Sequence, residues 1–345
     1  TANLPDPTIA DGSTAFDAKL WTGNGSTQNI TGYPFSPDLV WIKKRSGTSD
    51  QALFDTVRGY TKRLYPNDTS GEDTLTNNLT SFDSAGYGLG SANDVNQSSQ
   101  TYVGWAWDAG SSTASNSDGD ITSNVRANQT AGFSIASYTG TGANATVGHG
   151  LNAKTGLILI KNRSVSGDWG VYHQSLGATK RLILNNTNGQ LTQSVFMNDT
   201  EPTASVFSLG TSGNVNGSGN SLVAYCFAPV AGYSAFGSYT GNGSSSEGPF
   251  ILTDFSVRYL VIKRIDADGY NWNCFDTARS PHNATNDPIR LNLSNQEEVD
   301  YSYGDIDLLS NGIKIRSAWA NINASGGTHI YFAFASNPFK TARAR

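Results

Sequence analysis

Hydrophobic residues in this chain come in short runs that alternate with polar positions and end at turn residues. Few stretches repeat apolar side chains three and four residues apart, the spacing of an amphipathic helix. Glycine, serine, threonine and asparagine separate the runs, as they do between strands. The longest apolar run, residues 222–228, has the length of one strand. The pattern therefore predicts an all-β protein.

One series of landmarks passes three times, at intervals of about 100 to 117 residues, which suits β-sandwich domains. Each copy opens with an aromatic residue and a Thr-Gly-x-Gly turn, in which glycine permits positive φ. A hydrophobic strand ending in lysine follows, and its continuous apolar character predicts burial on both faces. The landmark residues are Trp21, Gly23, Gly25 and Lys43 in the first copy, Tyr138, Gly140, Gly142 and Lys161 in the second, and Tyr239, Gly241, Gly243 and Lys263 in the third.

The next landmark places an acid and an arginine three residues apart. It occurs as Asp55 and Arg58 in the first copy and as Asp276 and Arg279 in the third, whereas the second copy has His173 in the acid position. Recurrence at one spacing indicates a structural ion pair or turn bond that each copy needs for folding.

A catalytic role is the alternative interpretation of these acids. Glycosidases use two close carboxylates, and Asp55 with Glu72, or Asp276 with Glu297 and Glu298, would be the candidate pairs. The exchange of the acid for histidine in the second copy favours the structural interpretation. The chain has no Gly-x-Ser-x-Gly motif and no Walker-type phosphate-binding motif.

The last landmark is a strand with two aromatic residues separated by a small one. It reads Trp105-Ala106-Trp107, Tyr225-Cys226-Phe227 and Phe332-Ala333-Phe334. Residues two apart point to one face of a strand, so the aromatic pairs are predicted to face the core. Cys226 falls in the position of Ala106 and Ala333, and Cys274 in that of Leu53 and Val171, so both are predicted to be buried thiols that pack as small hydrophobic residues. A disulfide between them is the alternative.

Together the landmarks predict three tandem, related β-sandwich modules of the jelly-roll or lectin-like kind. Their expected bounds are residues 1–112, 121–230 and 231–340, followed by a basic tail at residues 341–345. Polar or Gly/Pro-marked stretches at residues 109–120 and 229–234 are the candidate joints. The tail is expected to be exposed, with contact to a partner subunit as the alternative.

Charge and composition restrict the partners and cofactors. The 345 residues carry a formal net charge of −5, which argues against binding of nucleic acid through a charged face, and no apolar run reaches membrane-spanning length. The first residue is threonine, which favours a processed chain or a segment of a longer one. The four histidines are scattered, and we expect no cofactor. Oxygen-rich stretches at residues 117–120 and 266–269 keep calcium as an alternative.

Five stretches, at residues 35–43, 54–59, 133–140, 147–151 and 331–339, together resemble modules in structural proteins of marine and freshwater tailed bacteriophages. Such proteins are usually labelled tail fibres or virion proteins, and some are compared with concanavalin-like sandwiches. The resemblance extends over nearly the whole chain. It implies a component of the virion surface and supplies no catalytic residues.

From this resemblance we expect a non-enzymatic, self-associating virion protein at the virion surface or outside the cell. The favoured role is that of a tail fibre or appendage component that contacts host surface glycans. The alternatives are a capsid decoration protein, a subunit of an extracellular filament or glycan-binding module, and a glycan-degrading tailspike. Four tryptophans are candidate sugar-stacking platforms, although recurring aromatic positions indicate core: Trp21, Trp169, Trp272 and Trp319.

Asparagine in the Asn-x-Ser/Thr pattern is about twice as frequent as composition predicts. Repetition of Asn-Gly-Ser turns explains part of this excess, and a glycosylated extracellular protein is the other explanation. The fifteen positions are Asn24, Asn29, Asn67, Asn78, Asn96, Asn128, Asn144, Asn162, Asn185, Asn198, Asn216, Asn242, Asn283, Asn292 and Asn323.

Overall fold

The computed structural model describes residues 6–301 and 303–341. We divide them into segment I (residues 6–112), segment II (residues 113–230) and segment III (residues 231–341). Among the described residues, the paired strands are antiparallel, one isolated parallel bridge joins Ile121 and Val147, and each α-helix is a single turn. The prediction of an all-β protein with β-sandwich character is confirmed. Within the described ranges, no helix is long and apolar enough to cross a membrane.

The strands and helices follow in chain order. Segment I contains a 3-10 turn (Gly12–Thr14), β1 (Phe16–Thr22), β2 (Gln28–Thr31), β3 (Leu39–Lys44), β4 (Ala52–Asp55), β5 (Lys62–Arg63), β6 (Asp73–Thr74), β7 (Leu79–Asp83), β8 (Gly86–Leu89), α1 (Asn93–Asn96) and β9 (Thr101–Trp107). Segment II contains β10 (Thr113–Asn116), β11 (Ser123–Asn128), β12 (Phe133–Thr139), β13 (Ala145–Gly148), β14 (Leu157–Asn162), β15 (Gly170–His173), β16 (Lys180–Ile183), β17 (Leu191–Thr192), α2 (Ser194–Met197), β18 (Val206–Leu209), α3 (Gly213–Asn216) and β19 (Ser221–Phe227). Segment III contains β20 (Ser234–Thr240), β21 (Phe250–Leu252), β22 (Phe255–Arg264), β23 (Trp272–Asp276), β24 (Ile289–Arg290), β25 (Ile306–Leu308), β26 (Gly312–Ile315), α4 (Ala320–Asn323) and β27 (Thr328–Pro338).

Each segment has one large and one small sheet. The large sheets have the orders β1-β9-β3-β4, β10-β11-β12-β19-β14-β15-β16-β17 and β20-β27-β22-β23-β24. The small sheets are β2-β8-β7, β13-β18 and β21-β26-β25, and β5 pairs with β6. Strand β10 lies inside the stretch expected to be the first joint, where it pairs with β11 at the edge of the segment II sheet.

Central strands of the large sheets are buried on both faces, as their apolar sequences require. Every residue of β3 and of β14 is buried. In segment I, Trp41 and Trp105 face a central core that contains residues from all three segments, whereas Val40 and Ile42 pack in a second cluster with the small sheet. Because the central core is shared, the division of the chain into three separate domains remains a prediction.

The three segments run in the same direction around the central core. Trp107, Phe227 and Phe334, the second aromatic of each pair, meet there with ring centroids 5.6–6.3 Å apart. Each lies opposite the first residue of its partner strand, at Phe16, Phe133 and Ser234. Both chain connections between segments leave from this end, and Lys340 pairs with Asp6 there at 2.5 Å. We call it the joint end. The three Thr-Gly-x-Gly turns lie at the opposite end, which we call the turn end.

The two cysteines do not form a disulfide. Both thiols are free and buried, Cys226 against the core of segment II and Cys274 in the central core. Burial raises the pKa of each thiol well above its ordinary value. Residues 342–345 of the basic tail lie outside the described residues.

Candidate functional site

The Thr-Gly-x-Gly turns are held by buried asparagines, one at the end of each of α1, α3 and α4. The side-chain oxygens of Asn96, Asn216 and Asn323 accept hydrogen bonds from the backbone N–H of the turn at 2.8–3.0 Å. The second glycine of every turn has φ between +69° and +75°. At the first glycine, a Cβ would lie 2.2–2.4 Å from a backbone oxygen of the neighbouring loop. The turns therefore require both glycines for folding.

The aromatic residue before each turn is part of the same arrangement. Trp21 Nε1 donates to Val95 O at 3.0 Å, Tyr138 Oη to Val215 O at 2.7 Å, and Tyr239 Oη to Ile322 O at 2.5 Å. Each acceptor immediately precedes the buried asparagine of its segment. These aromatic residues thus fasten the short helix to the large sheet.

The three strand-ending lysines link one segment to the next. Lys43 Nζ donates to Ser294 O of segment III at 2.9 Å, and Lys161 Nζ donates to Thr69 O of segment I at 2.8 Å. Lys263 Nζ donates to Tyr270 O in its own segment at 2.9 Å and lies 3.4 Å from Thr187 O of segment II. Burial lowers the pKa of Lys43, Lys161 and Lys263 to about 8.

Three side-chain amide or indole groups connect the segments in the same order. Trp169 Nε1 donates to Tyr65 O of segment I at 2.8 Å, and Trp272 Nε1 donates to Ile183 O of segment II at 3.0 Å. In segment I the equivalent position is Gln51, whose Nε2 donates to Leu291 O of segment III at 2.8 Å. Segment I thus donates to segment III, segment III to segment II, and segment II to segment I. The three contacts form a closed ring.

Both acid–arginine pairs are buried ion pairs. Arg58 Nε lies 2.5 Å from Asp55 Oδ2, and Arg279 Nε lies 2.6 Å from Asp276 Oδ2. Burial favours a raised pKa for Asp276, but the adjacent Arg279 guanidinium outweighs it and holds the pKa below its ordinary value.

A neighbouring segment completes each pair. Tyr225 Oη of segment II donates to Asp55 Oδ2 at 2.7 Å, and Trp105 Nε1 of segment I donates to Asp276 Oδ2 at 3.0 Å. Tyr225 and Trp105 are the first aromatics of the aromatic–small–aromatic strands. The acids are therefore fully engaged by side chains within the core.

A glutamate extends each ion pair across the interface. Glu72 accepts from Arg58 Nη1 at 3.0 Å and from Arg163 Nε of segment II at 2.7 Å. Glu297 likewise accepts from Arg279 Nη1 at 2.7 Å and from Arg45 Nε of segment I at 2.7 Å. Two of the three interfaces thus contain a four-membered network of alternating charge, which we call the ion network.

The interface between segments II and III lacks every member of the ion network. Matching strand registers and backbone hydrogen bonds identify the equivalent positions. They hold His173, Leu176, Gln190 and Ile265 in place of the aspartate, the first arginine, the glutamate and the second arginine.

The side chain across this interface has changed as well. Phe332, which has no hydrogen-bond donor, occupies the position of Tyr225 and Trp105. His173 Nε2 instead pairs with the backbone oxygen of Tyr331 at 3.1 Å, and burial lowers the pKa of His173 to about 4, so the ring is neutral. A partly retained network would leave buried charges unpaired, which is costly, and here all members are exchanged together.

These contacts assign the candidate glycosidase acids to the core. Asp55 and Glu72 are bridged by Arg58, and Asp276 and Glu297 by Arg279, so neither pair faces an open cleft. Glu298 pairs with Arg290 at 2.7 Å.

The oxygen-rich stretches also use their carboxylates internally. Asp120 Oδ2 accepts from Thr146 N at 3.0 Å, and Asp268 Oδ1 accepts from Gly189 N at 2.7 Å. Asp118 accepts from Asn116, and Asp266 pairs with Arg264. In the part of the chain that the structure describes, no three His, Cys, Asp or Glu side chains are grouped to hold a metal. These contacts do not form a set of calcium ligands.

The excess of Asn-x-Ser/Thr positions has a structural origin in part. Asn96, Asn216 and Asn323 hold the turns. A second equivalent set, Asn67, Asn185 and Asn292, accepts a backbone hydrogen bond from the Gln51, Trp169 or Trp272 position at 2.8–3.0 Å. Repetition of one fold therefore accounts for six of the fifteen positions.

Sequence reasoning missed most of the interface residues. No local motif marks Gln51, Arg45 or Arg163, and neither the aromatic landmark at Tyr225 nor the acid at Glu72 indicated a contact with another segment. The one available signal was the missing acid at His173.

Comparison with known proteins identifies one family. A family model described as a domain of unknown function (DUF7483) matches residues 11–338. That single model spans all three segments, as does the central core. The comparisons with curated proteins and with solved structures gave no match.

Proposed function

The chain belongs to this family (DUF7483), and we propose that it is a non-enzymatic structural protein of a tailed-bacteriophage virion. Within this proposal, the favoured role is that of a tail fibre or appendage component that contacts glycans on the host surface. The proposal joins the resemblance of five stretches of the chain to phage structural modules with the arrangement of the three segments.

The observation that carries the proposal is the common direction of the segments. The terminal pair of Asp6 and Lys340 and both connections between segments lie at the joint end. Three sets of equivalent loops lie at the turn end, and they are exposed at Asn24, Thr141 and Asn242. An appendage attached at one end would present three related loop sets at the other, where weak contacts add through multivalency.

The contacts between the segments support a structural role. Buried lysines, indole groups and ion networks join the segments in a closed ring, so one segment cannot separate without leaving buried polar groups unpaired. Asp55 and Asp276 serve that ring rather than a reaction, which is consistent with the absence of enzymatic activity in the proposal.

Immunogold electron microscopy of the phage that encodes this chain would test the proposal. Antibodies against the purified chain are expected to label the tail or its appendages on intact particles. Labelling over the capsid lattice would favour the decoration alternative. Absence of the chain from purified particles, together with a free helical polymer that carries sugars on asparagine, would overturn the proposal in favour of a secreted filament.

A further inference from the structure

Trp319 differs from the other tryptophans in its exposure. Of the seven tryptophans, Trp319 is the one that is only partly buried, whereas Trp21, Trp169 and Trp272 are buried in the core. The structure thus reduces four candidate sugar-stacking tryptophans to one.

The repeated fold does not require an aromatic residue at this position. Trp319 is the N-cap of α4, and the equivalent N-caps are Ala92 of α1 and Ser212 of α3. Backbone φ and ψ at the three positions agree within 15°. Because alanine and serine form the same turn, the backbone does not require the indole ring of Trp319, which packs on one side against the central core and leaves part of its surface exposed.

Two tyrosines adjoin the partly exposed Trp319, and of these Tyr301 is also partly buried whereas Tyr303 is exposed. The Tyr301 ring centroid lies 5.0 Å from that of Trp319 and 5.7 Å from that of Tyr303, with interplanar angles of 65° and 63°. Tyr303 is 63% exposed, and Val299, two residues before Tyr301 in the sequence, is 68% exposed. Exposed apolar clusters of this kind mark contact sites.

Polar groups border the aromatic cluster. Arg290 lies 6.0 Å from the centroid of Trp319 and pairs with Glu298 at 2.7 Å. A pyranose ring has an apolar C–H face that stacks on an aromatic ring, and hydroxyl groups that bond to such an ion pair. Residues 286–319 contain six acidic and three basic side chains, so an acidic polysaccharide would be repelled.

We propose that Tyr301, Tyr303 and Trp319 form a stacking platform for a neutral glycan. The choice of a sugar ligand rests on the proposed function, in which the chain contacts host glycans. The platform belongs to segment III alone, because segments I and II carry alanine and serine at the equivalent N-cap.

The test uses the full chain and titration with dextran, galactan and mannan oligosaccharides, followed by tryptophan fluorescence. Trp319 dominates the fluorescence accessible to acrylamide, since the other tryptophans are buried. At least one of these neutral sugars is expected to bind and to protect Trp319 from quenching. Trp319→Ser, which introduces the residue of segment II, and Tyr303→Ala are each expected to weaken binding about tenfold.

Tyr60→Ala is the matched control, because Tyr60 is an exposed tyrosine of segment I at 43%. It is expected to bind as the unchanged chain does. Tyr303→Ala and Tyr60→Ala are expected to keep the urea midpoint, whereas Trp319→Ser lowers it because Trp319 also packs against the central core, so Tyr303→Ala separates binding from stability. Failure of all three neutral sugars to bind, tighter binding of alginate, or unchanged affinity in both platform variants would overturn the platform. If immunogold still labels the tail in that case, the proposed function stands without it.

Discussion

Replacement of Glu72 by glutamine is expected to destabilise the folded chain by about 3–5 kcal/mol. The Glu72 carboxylate accepts three hydrogen bonds, from Arg58 Nη1 at 3.0 Å and from Arg163 Nε and Nη2 at 2.7 and 2.9 Å. The Arg58 side chain is fully buried, and that of Glu72 is 10% exposed. With glutamine, Arg58 keeps the Asp55 carboxylate, whereas Arg163 loses its carboxylate partner at a largely buried interface.

Exchange of the whole network is expected to cost much less than this single change. The interface between segments II and III supplies a compatible set of neutral side chains in the same geometry, and neutral packing replaces buried ion networks at little cost. The five-fold variant is Asp55→His, Arg58→Leu, Glu72→Gln, Arg163→Ile and Tyr225→Phe. We expect its free energy of unfolding to lie within about 1.5 kcal/mol of the unchanged chain.

Urea unfolding followed by circular dichroism and fluorescence would measure both variants, with equal m-values as the condition for comparison. Glu247→Gln is the matched control, since Glu247 is an exposed acid outside the interfaces, and its effect is expected to be below about 0.5 kcal/mol. If the five-fold variant is less stable than Glu72→Gln, the network is not exchanged as a unit and the reasoning is refuted.

Three further predictions concern buried groups. Since burial lowers the pKa of Lys161 to about 8, this lysine binds fewer protons in the folded than in the unfolded chain between pH 8 and about 10.5, and its contribution to stability rises with pH there. Lys161→Met should reduce the slope of unfolding free energy by about 1.4 kcal/mol per pH unit, measured by urea titration at pH 8.5 and 9.5, and an equal slope in both chains would contradict this. Gly140→Ala, whose Cβ would lie 2.4 Å from a backbone oxygen, should cost about 1–3 kcal/mol, whereas Gly213→Ala, with open space around it, should cost under about 0.5 kcal/mol. Cys226 and Cys274 should react with Ellman's reagent only as the chain unfolds, and rapid labelling of the native protein would count against their burial.

The Thr-Gly-x-Gly turns illustrate how much of the fold could be predicted from the sequence. A turn that needs positive φ selects glycine within a few residues, so Gly25, Gly142 and Gly243 were identifiable from their spacing. The strand-ending lysines were also identifiable from their spacing, but the atoms that accept their hydrogen bonds were not. Lys43 bonds to a carbonyl oxygen 251 residues away, and no local preference encodes such a distance.

The sequence by itself determined the all-β class, the repeating strands and turns, and the acid–arginine spacing, because those features depend on side chains a few residues apart. Only the tertiary structure decided that the sheets share one core and that Tyr225 completes the pair at Asp55, 170 residues away. The tertiary structure also explains why His173 occupies the position that holds an acid in the other copies. The side chain across the interface is Phe332, which has no hydrogen bond to donate, and a buried charge is stable only where its partner is present.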